Sequence, residues 1–290
     1  MFDCSIVIPS CDGYSDLWMP FLKLLDRYWP DRSMPVYFGT NAMSVEGRVI
    51  VLKSDRGNIW SDRLIDYLQR LDSEYVLLML EDFFLRRPVR NAEIQQCLEF
   101  VRDSNAHMVR LVPLPRPTRR LPGNDRFGIC EPGSPYRLST QAAIWRRSTL
   151  LGLLRPGETI WQFEIVGSQR SSSLRDGFYS VWKPVLPYPG ILVHHVVEKG
   201  KWFPHEAWRF RRAGIGCDFA RRGTLPWGHT LMVQCVRVAD IILRPLSWQA
   251  RSRLKAAVRR WLEPVIGRRL ARLRGFSEQG LDSSERPLVR

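Results

Sequence analysis

An α/β fold with a mostly parallel sheet flanked by helices is predicted by two features of this 290-residue sequence. Strand-like and helix-like patterns alternate through the first 80 residues at the spacing of parallel α/β units. Residues 75–80 form an apolar run without a break, which is typical of a strand buried on both faces. Glu81 and Asp82 follow this run at once, so we expect them at the carboxyl end of a central strand, where open α/β sheets bind ligands.

Hydrophobic periodicity and clusters of turn residues predict the individual elements in order. Strands are predicted at residues 5–10, 35–39, 48–52, 75–80 and 108–112, and helices at 15–28, 54–71 and 91–103. The Pro-, Gly- and Arg-rich residues 113–135 indicate a loop. Beyond it, the pattern predicts a strand at 136–145, a short helix at 147–154, an amphipathic turn at 159–172 and a late strand at 190–197.

The charge of the chain is unevenly distributed. Its 44 Lys and Arg against 29 Asp and Glu give +15, which favours an anionic partner. Eleven Lys or Arg and two acids fall between residues 237 and 274, where leucines, valines and a tryptophan keep helical spacing. We therefore expect a main domain at residues 1–226, a basic amphipathic helical extension at 227–274 and a disordered tail at 275–290. The extension suits an anionic membrane surface; equally, it could pack on the main domain with an arginine-rich face in solvent.

The six cysteines and the chain's hydropathy predict a cytoplasmic protein. No two cysteines form a C-x-x-C pair or a zinc spacing, so reduced thiols are expected. Residues 1–5 have no basic segment typical of a signal peptide, and no run of about 18 apolar residues exists to span a membrane. We expect a protein that is peripheral to the inner membrane.

Several early segments together resemble the nucleotide-sugar-binding half of GT-A fold glycosyltransferases, especially the inverting family 2 group. The matching segments are the opening strand at residues 6–10, Asp55 after the third strand, Gly57 with Arg63 at the next helix, and the acidic motif of Glu81 and Asp82. The resemblance covers roughly the first 150 residues. It implies a hexosyltransferase-type enzyme that moves a sugar from a nucleotide-sugar donor to a polysaccharide or lipid-linked acceptor, in the synthesis of a bacterial capsule, O-antigen or lipopolysaccharide.

The same resemblance implies a donor site on the early loops. Asp55 would hold the nucleobase, although it could equally be a turn or N-cap residue. Arg63 would lie near the donor diphosphate, although it could be a solvated helix-surface arginine, and Asp12 would lie near the nucleoside unless it only forms a turn. The full set of expected donor contacts is Pro9, Asp12, Asp55, Gly57, Arg63, Glu81, Arg170, Lys199 and Lys201. Lys199 and Lys201 could also belong to a solvated basic turn.

The acidic motif departs from the family's D-x-D pattern, because positions 83 and 84 are both Phe. Either Asp82 binds a divalent metal, Mn²⁺ or Mg²⁺, with help from a late histidine, His195, or cations such as Arg63 and Arg170 neutralise the diphosphate. A purely structural alternative is that the two acids pair with Arg86 and Arg87.

An inverting transferase needs a base for the acceptor hydroxyl. The resemblance favours Glu164, which lies among aromatic residues on the acceptor side, with Asp176 as the second candidate. The alternative is a surface Glu164 paired with Arg170 or Arg175. Two other classes stay open: a catalytically inactive scaffold of this fold, and a nucleic-acid-binding protein. No nucleic-acid-binding motif is recognisable, so the expected partners are the sugar donor, a glycan acceptor and an anionic membrane.

Overall fold

In the computed structural model, the described part of the chain comprises residues 3–57, 59–188 and 195–228, together with 230, 231, 234, 235 and 238. By its contacts the chain divides into two units, residues 1–230 and 231–290. The strands of the first unit are Cys4–Pro9 (β1), Val36–Thr40 (β2), Ile50–Lys53 (β3), Tyr75–Leu78 (β4), Met108–Arg110 (β5), Arg119–Leu121 (β6), Asn124–Ile129 (β7), Ala143–Arg146 (β8), Phe178–Val181 (β9), Val197–Glu198 (β10) and Lys201–Trp202 (β11).

The helices of this unit are Ser15–Tyr28 (α1), Trp60–Gln69 (α2), Asn91–Asp103 (α3) and Arg147–Leu153 (α4). The next, α5, is continuous from Ile160–Gln162 through a π-helical turn, Phe163–Gly167, to Ser168–Arg170. Thr159 begins it with a capping box, in which its side chain and that of Gln162 satisfy each other's backbone amides. Two further helices are Pro204–Arg212 (α6) and Phe219–Arg222 (α7).

Nine described strands form one sheet in the order β3-β2-β1-β4-β8-β5-β9-β7-β6. Strands β3, β2, β1 and β4 are parallel neighbours, and among these nine only β7 and β8 run against the others. The prediction of a mostly parallel α/β sheet flanked by helices is therefore confirmed. Because β4 lies between β1 and β8, the acidic pair that follows it stands at the carboxyl end of a central strand.

Alternating side chains of β4 point to opposite faces, and both faces are buried. Leu77 packs with α1 in one hydrophobic cluster, whereas Val76 and Leu78 pack with α2 in the other. Residues 75–80 and 83–85 are all buried, as the unbroken apolar run predicted. A strand of this kind has no solvent-facing side, so polar groups can appear only at its ends.

The loop predicted at residues 113–135 is wrong in part, because β6 and β7 form an antiparallel hairpin there. Gly123 turns the hairpin with a φ of 70°, a conformation that glycine adopts readily. The strand predicted at 136–145 is shorter than expected: Tyr136 has a φ of 52°, and β8 begins at Ala143. The strand predicted at 190–197 falls mainly on residues 189–194, outside the described chain.

The predicted helical extension at 227–274 and the tail at 275–290 also fall almost entirely outside the described residues. No helix in the described part of the chain is both long and apolar enough to cross a membrane.

Candidate functional site

Glu81 lies just beyond β4 and is fixed by the loop that follows β1. Its carboxylate is buried, and its Oε1 accepts a hydrogen bond from Ser10 Oγ at 2.8 Å. Trp18 of α1 donates its indole N–H to the same hydroxyl at 2.7 Å. This chain of two bonds aims the Ser10 hydroxyl at the acid and fixes the orientation of the carboxylate.

Loss of solvent raises the pKa values of both acids. Burial is the larger cause for Glu81, followed by the charge of Asp82, and together they raise the pKa of Glu81 to about 7. Burial also raises the pKa of Asp82, to about 6, although nearby His195 and Arg222 act in the opposite direction. A cation bound between these two carboxylates would stabilise their charged forms and lower both pKa values.

His195 lies close enough to Asp82 to lower its pKa, and the metal role of the two residues stays a prediction. The backbone N–H of Val196 donates to the Asp82 carbonyl at 2.8 Å, which fixes the segment beside the acid. The imidazole packs against Phe83 at 5.9 Å between centroids, and its Nε2 lies 3.3 Å from Glu198. Within the described chain, however, no three His, Cys, Asp or Glu side chains are arranged to hold a metal ion by themselves.

The structural alternative for the acidic pair is not what the structure shows. Arg86 instead forms an ion pair with the buried Glu206 of α6, and Arg87 is exposed. The nearby positive charge comes from Arg222 of α7, which lowers the pKa values of both acids.

Arg222 is held tightly by the loop and helix that follow β1. Its guanidinium binds both carboxylate oxygens of Asp16, at 2.6 and 2.7 Å, and donates to the Gly13 carbonyl at 2.8 Å. It also lies 4.3 Å from the ring centroid of Tyr14. Sequence reasoning missed this residue because its partner Asp16 is 206 positions away and neither lies in a motif.

Arg63 of α2 lies at the same edge of the sheet, near Cys11. It is buried, and its Nη1 donates to the Gly57 carbonyl at 3.0 Å, while its Nε has no hydrogen-bond partner among the described residues. The pKa of the Cys11 thiol depends on both Glu81 and Arg63. Burial and the nearby Glu81 raise it, and Arg63 lowers it. Arg63 is therefore not a solvated surface residue, and its unpaired N–H could bind an anion.

Asp12 ties two loops of this edge together. Its Oδ1 accepts the amide of Asn41 at 3.0 Å, and its Oδ2 accepts those of Ala42 and Met43 at 3.0 and 3.2 Å. Pro9, just before it, is buried at the end of β1. The predicted contact of Asp12 with a nucleoside stays a prediction beside this structural role.

Asp55 is exposed in the turn after β3, and its carboxylate has no hydrogen-bond partner among the described residues. Gly57 follows with a φ of 71°. The turn that carries this exposed carboxylate also supplies the Gly57 carbonyl that Arg63 binds.

Glu164 lies in the π-helical turn of α5 and is buried. Its Oε1 accepts the backbone N–H of Thr140 at 2.7 Å and the Thr140 hydroxyl at 2.8 Å. Thr140 precedes β8, whose start is paired with the end of β4, so Glu164 stands at the same sheet edge as Glu81. Single π-helical turns are frequent at functional sites.

The predicted surface pairing of Glu164 with Arg170 is absent among the described contacts. Arg170 binds Glu158 and the Leu153 carbonyl instead, which places its guanidinium against α4. Arg175 is exposed. The role of Arg170 as a diphosphate contact therefore stays a prediction that would require it to leave Glu158.

One other predicted residue lies away from this cluster. Asp176 is exposed and precedes β9, which is parallel to β5, so it lies at the opposite edge of the sheet from Glu81. The structure does not bring this second candidate base to the acids. Lys199 and Lys201 are exposed on the β10–β11 hairpin, and Lys199 has a φ of 50° at its turn.

No family model matches this chain, and no curated protein matches it by sequence. Solved structures similar to it include the mannosyltransferase PcManGT from Pyrobaculum calidifontis in complex with GDP-Man and Mn²⁺ (15% identity, 90% of this chain and 80% of that chain, TM-score 0.45). A 2-C-methyl-D-erythritol 4-phosphate cytidylyltransferase from Thermus thermophilus is also similar (11%, 73% and 98%, TM-score 0.42), as is S. aureus TarS 1–349 (14%, 62% and 60%, TM-score 0.38).

The chain spans 47% of another match, the bifunctional IspDF from Campylobacter jejuni. This structural similarity thus covers both a mannosyltransferase and a cytidylyltransferase. With every one of these TM-scores below 0.5, it decides neither the family nor the activity.

The site residues fit a divalent cation in one specific mode. Mg²⁺ is commonly bound by one or two carboxylates, with waters and substrate phosphates completing its shell. Glu81 and Asp82 supply two carboxylates whose raised pKa values a cation would relieve, and His195 stands next to Asp82. A cation held jointly by these groups and a diphosphate suits the site better than one held by protein alone.

Proposed function

We propose that this chain is an inverting glycosyltransferase that moves a sugar from a nucleotide-sugar donor to a glycan or lipid-linked acceptor of a bacterial surface glycan. One observation carries the proposal: two adjacent acids with raised pKa values, Glu81 and Asp82, stand at the carboxyl end of the central strand, on the same edge as Glu164. Two adjacent acids at this position are stabilised by a cationic or metal-bound ligand. Open α/β sheets bind their ligands at the carboxyl ends of their strands.

On the donor side, we assign the nucleobase to Asp55, whose free carboxylate can accept a base N–H. Arg63 is assigned to the diphosphate, because its buried and unpaired Nε can donate to a phosphate oxygen. Asp82 and His195 would hold a divalent cation, with Glu81 beside them. When bound, the cation would neutralise charge on the diphosphate.

On the acceptor side, Glu164 is assigned as the base. Both described hydrogen bonds to its carboxylate reach Oε1, which leaves Oε2 to accept the proton of the acceptor hydroxyl. The deprotonated oxygen attacks the sugar C1 from the face opposite the diphosphate. The nucleoside diphosphate leaves with the electron pair of the broken C–O bond, so the configuration at C1 inverts.

The proposal also assigns residues 1–226 to catalysis and residues 227–274 to attachment at an anionic membrane on the cytoplasmic side, with 275–290 as a tail. Truncation after Trp227 is expected to weaken this attachment while leaving a folded protein. Wild-type binding after truncation would show that the extension is not the anchor.

Asp82→Asn tests the site. The substitution keeps size and removes charge, so the fold should persist while sugar transfer falls at least ~100-fold. A thermal-shift screen of wild type with nucleotide sugars, with and without Mn²⁺, identifies the donor to be used. An Asp82→Asn variant with wild-type turnover would show that the acids are structural.

A further inference from the structure

Helix α6 carries an aromatic side chain surrounded by arginines on its outer face. Trp208 is 60% exposed, and Arg209, Arg211 and Arg212 are exposed around it. We call these four residues the docking face. The inner face of the helix packs into the core through the buried ring of Phe210, so the docking face is held on a rigid element.

The docking face has a large excess of positive charge around it. Residues 199–228 contain seven Lys or Arg and two acids. Neither acid offsets the docking face: Glu206 is buried and paired with Arg86, and Asp218 caps α7 by accepting two of its backbone N–H groups. Such a surface is complementary in charge to an anionic partner.

The arrangement of these side chains favours a lipid surface over a nucleic acid. Arg212 lies 5.5 Å from the ring centroid of Trp208, which joins the charge to an amphipathic ring. Trp is enriched where a membrane meets water, and exposed arginines are attracted to anionic headgroups. Single-stranded nucleic acids are instead bound along grooves on which successive bases stack on several aromatic side chains, whereas α6 exposes one aromatic ring.

We propose that the docking face binds the surface of an anionic lipid membrane. The β10–β11 hairpin comes immediately before α6 along the chain, and β10 directly follows Val196, whose N–H donates to the Asp82 carbonyl. Docking through α6 therefore brings the edge of the sheet that carries Asp82 close to the lipid headgroups. The proposal concerns binding alone, so it stands or falls independently of the transfer reaction.

The test measures sedimentation of the full chain with phosphatidylcholine vesicles that contain about 30% phosphatidylglycerol, without any sugar donor. The triple variant Arg209→Gln, Arg211→Gln and Arg212→Gln should bind about 100-fold more weakly, at roughly a factor of five for each charge removed from the surface. The single variant Arg209→Gln should lose about fivefold, and it serves if the triple variant does not fold. Trp208→Ala should weaken binding even in about 0.5 M salt, where charge attraction is screened.

The matched control is Arg116→Gln, Arg119→Gln and Arg120→Gln, at or next to the edge strand β6, six strands away from β1 in the sheet. These three arginines are exposed, and their removal changes the net charge by the same amount. Wild-type binding by the α6 variants, or equal losses in both triples, would overturn the proposal. A larger loss of binding to single-stranded DNA than to vesicles in the α6 triple would assign the face to nucleic acid instead.

Discussion

Replacing Glu81 by Gln should stabilise the protein at pH 8, although it removes an acid from the candidate site. Gln keeps the volume of the buried side chain, and its carbonyl can still accept the Ser10 hydrogen bond. It removes the buried charge and its repulsion with Asp82. The variant therefore isolates the electrostatic cost of keeping this acid at the end of β4.

The size of the effect follows from the pKa of Glu81, which is about 7 in the folded chain against an ordinary 4.5. Because the folded pKa is raised, the folded state keeps a proton that the unfolded state has released. Stability is therefore lost as the pH rises from 4.5 to about 7, and stays lower above it. At about 1.36 kcal/mol per pKa unit the loss at pH 8 is about 3 kcal/mol, and at pH 5 it is about 1 kcal/mol.

Thermal unfolding at pH 5 and pH 8 measures the difference directly. The Tm of Glu81→Gln should exceed that of wild type by about 6 °C or more at pH 8, and by clearly less at pH 5. Glu99→Gln, on the exposed side of α3, is the control and should show no pH-dependent difference. An equal Tm advantage at both pH values, or a Tm below wild type at pH 8, would refute the reasoning.

Substitutions of Glu164, Arg63 and Arg222 test the proposed base, the proposed diphosphate contact and the ion pair with Asp16. Glu164→Gln should lower transfer ~100-fold with donor affinity unchanged; loss of donor affinity in calorimetry would contradict its role. Arg63→Lys should weaken binding of a nucleoside diphosphate about tenfold, because lysine lacks the paired donors of arginine, and an unchanged Kd would exclude the contact. Arg222→Met should cost about 3 kcal/mol by leaving the buried Asp16 carboxylate unpaired. Adding Asp16→Asn should recover part of that loss in denaturant titrations, and simple additivity of the two changes would contradict the coupling.

Local patterns predicted most of the first half of the fold. The spacing of Leu17, Phe21 and Leu24 predicts α1 with the bounds that the structure shows, because a helix that buries one face needs this period. The hairpin at residues 119–129 was missed, since β6 is an exposed edge strand whose arginines carry no alternation of apolar and polar residues.

The candidate site could be predicted only in part, for a physical reason. Glu81 and Asp82 are recognisable from the sequence, because two acids directly after a buried strand carry an unfavourable desolvation free energy unless they bind a partner. The partners that fix them are not visible there. Ser10 and Arg222 are common residue types whose placement depends on how distant segments meet, so no local pattern distinguishes them.

The bonds of Asp12 have a consequence for how a ligand would be selected. A carboxylate that already accepts three backbone amides has little capacity left to accept a hydrogen bond from a ligand. Asp12 therefore sets the shape of the site and does not itself recognise the ligand. The loops that follow β1 and β2 are therefore held in place before any ligand binds, so no binding free energy is needed to order them. Under the proposed donor site, discrimination between nucleobases falls to Asp55, whose carboxylate has no hydrogen-bond partner among the described residues. Exchanging Asp55 should change which base is preferred, whereas exchanging Asp12 should weaken every base alike.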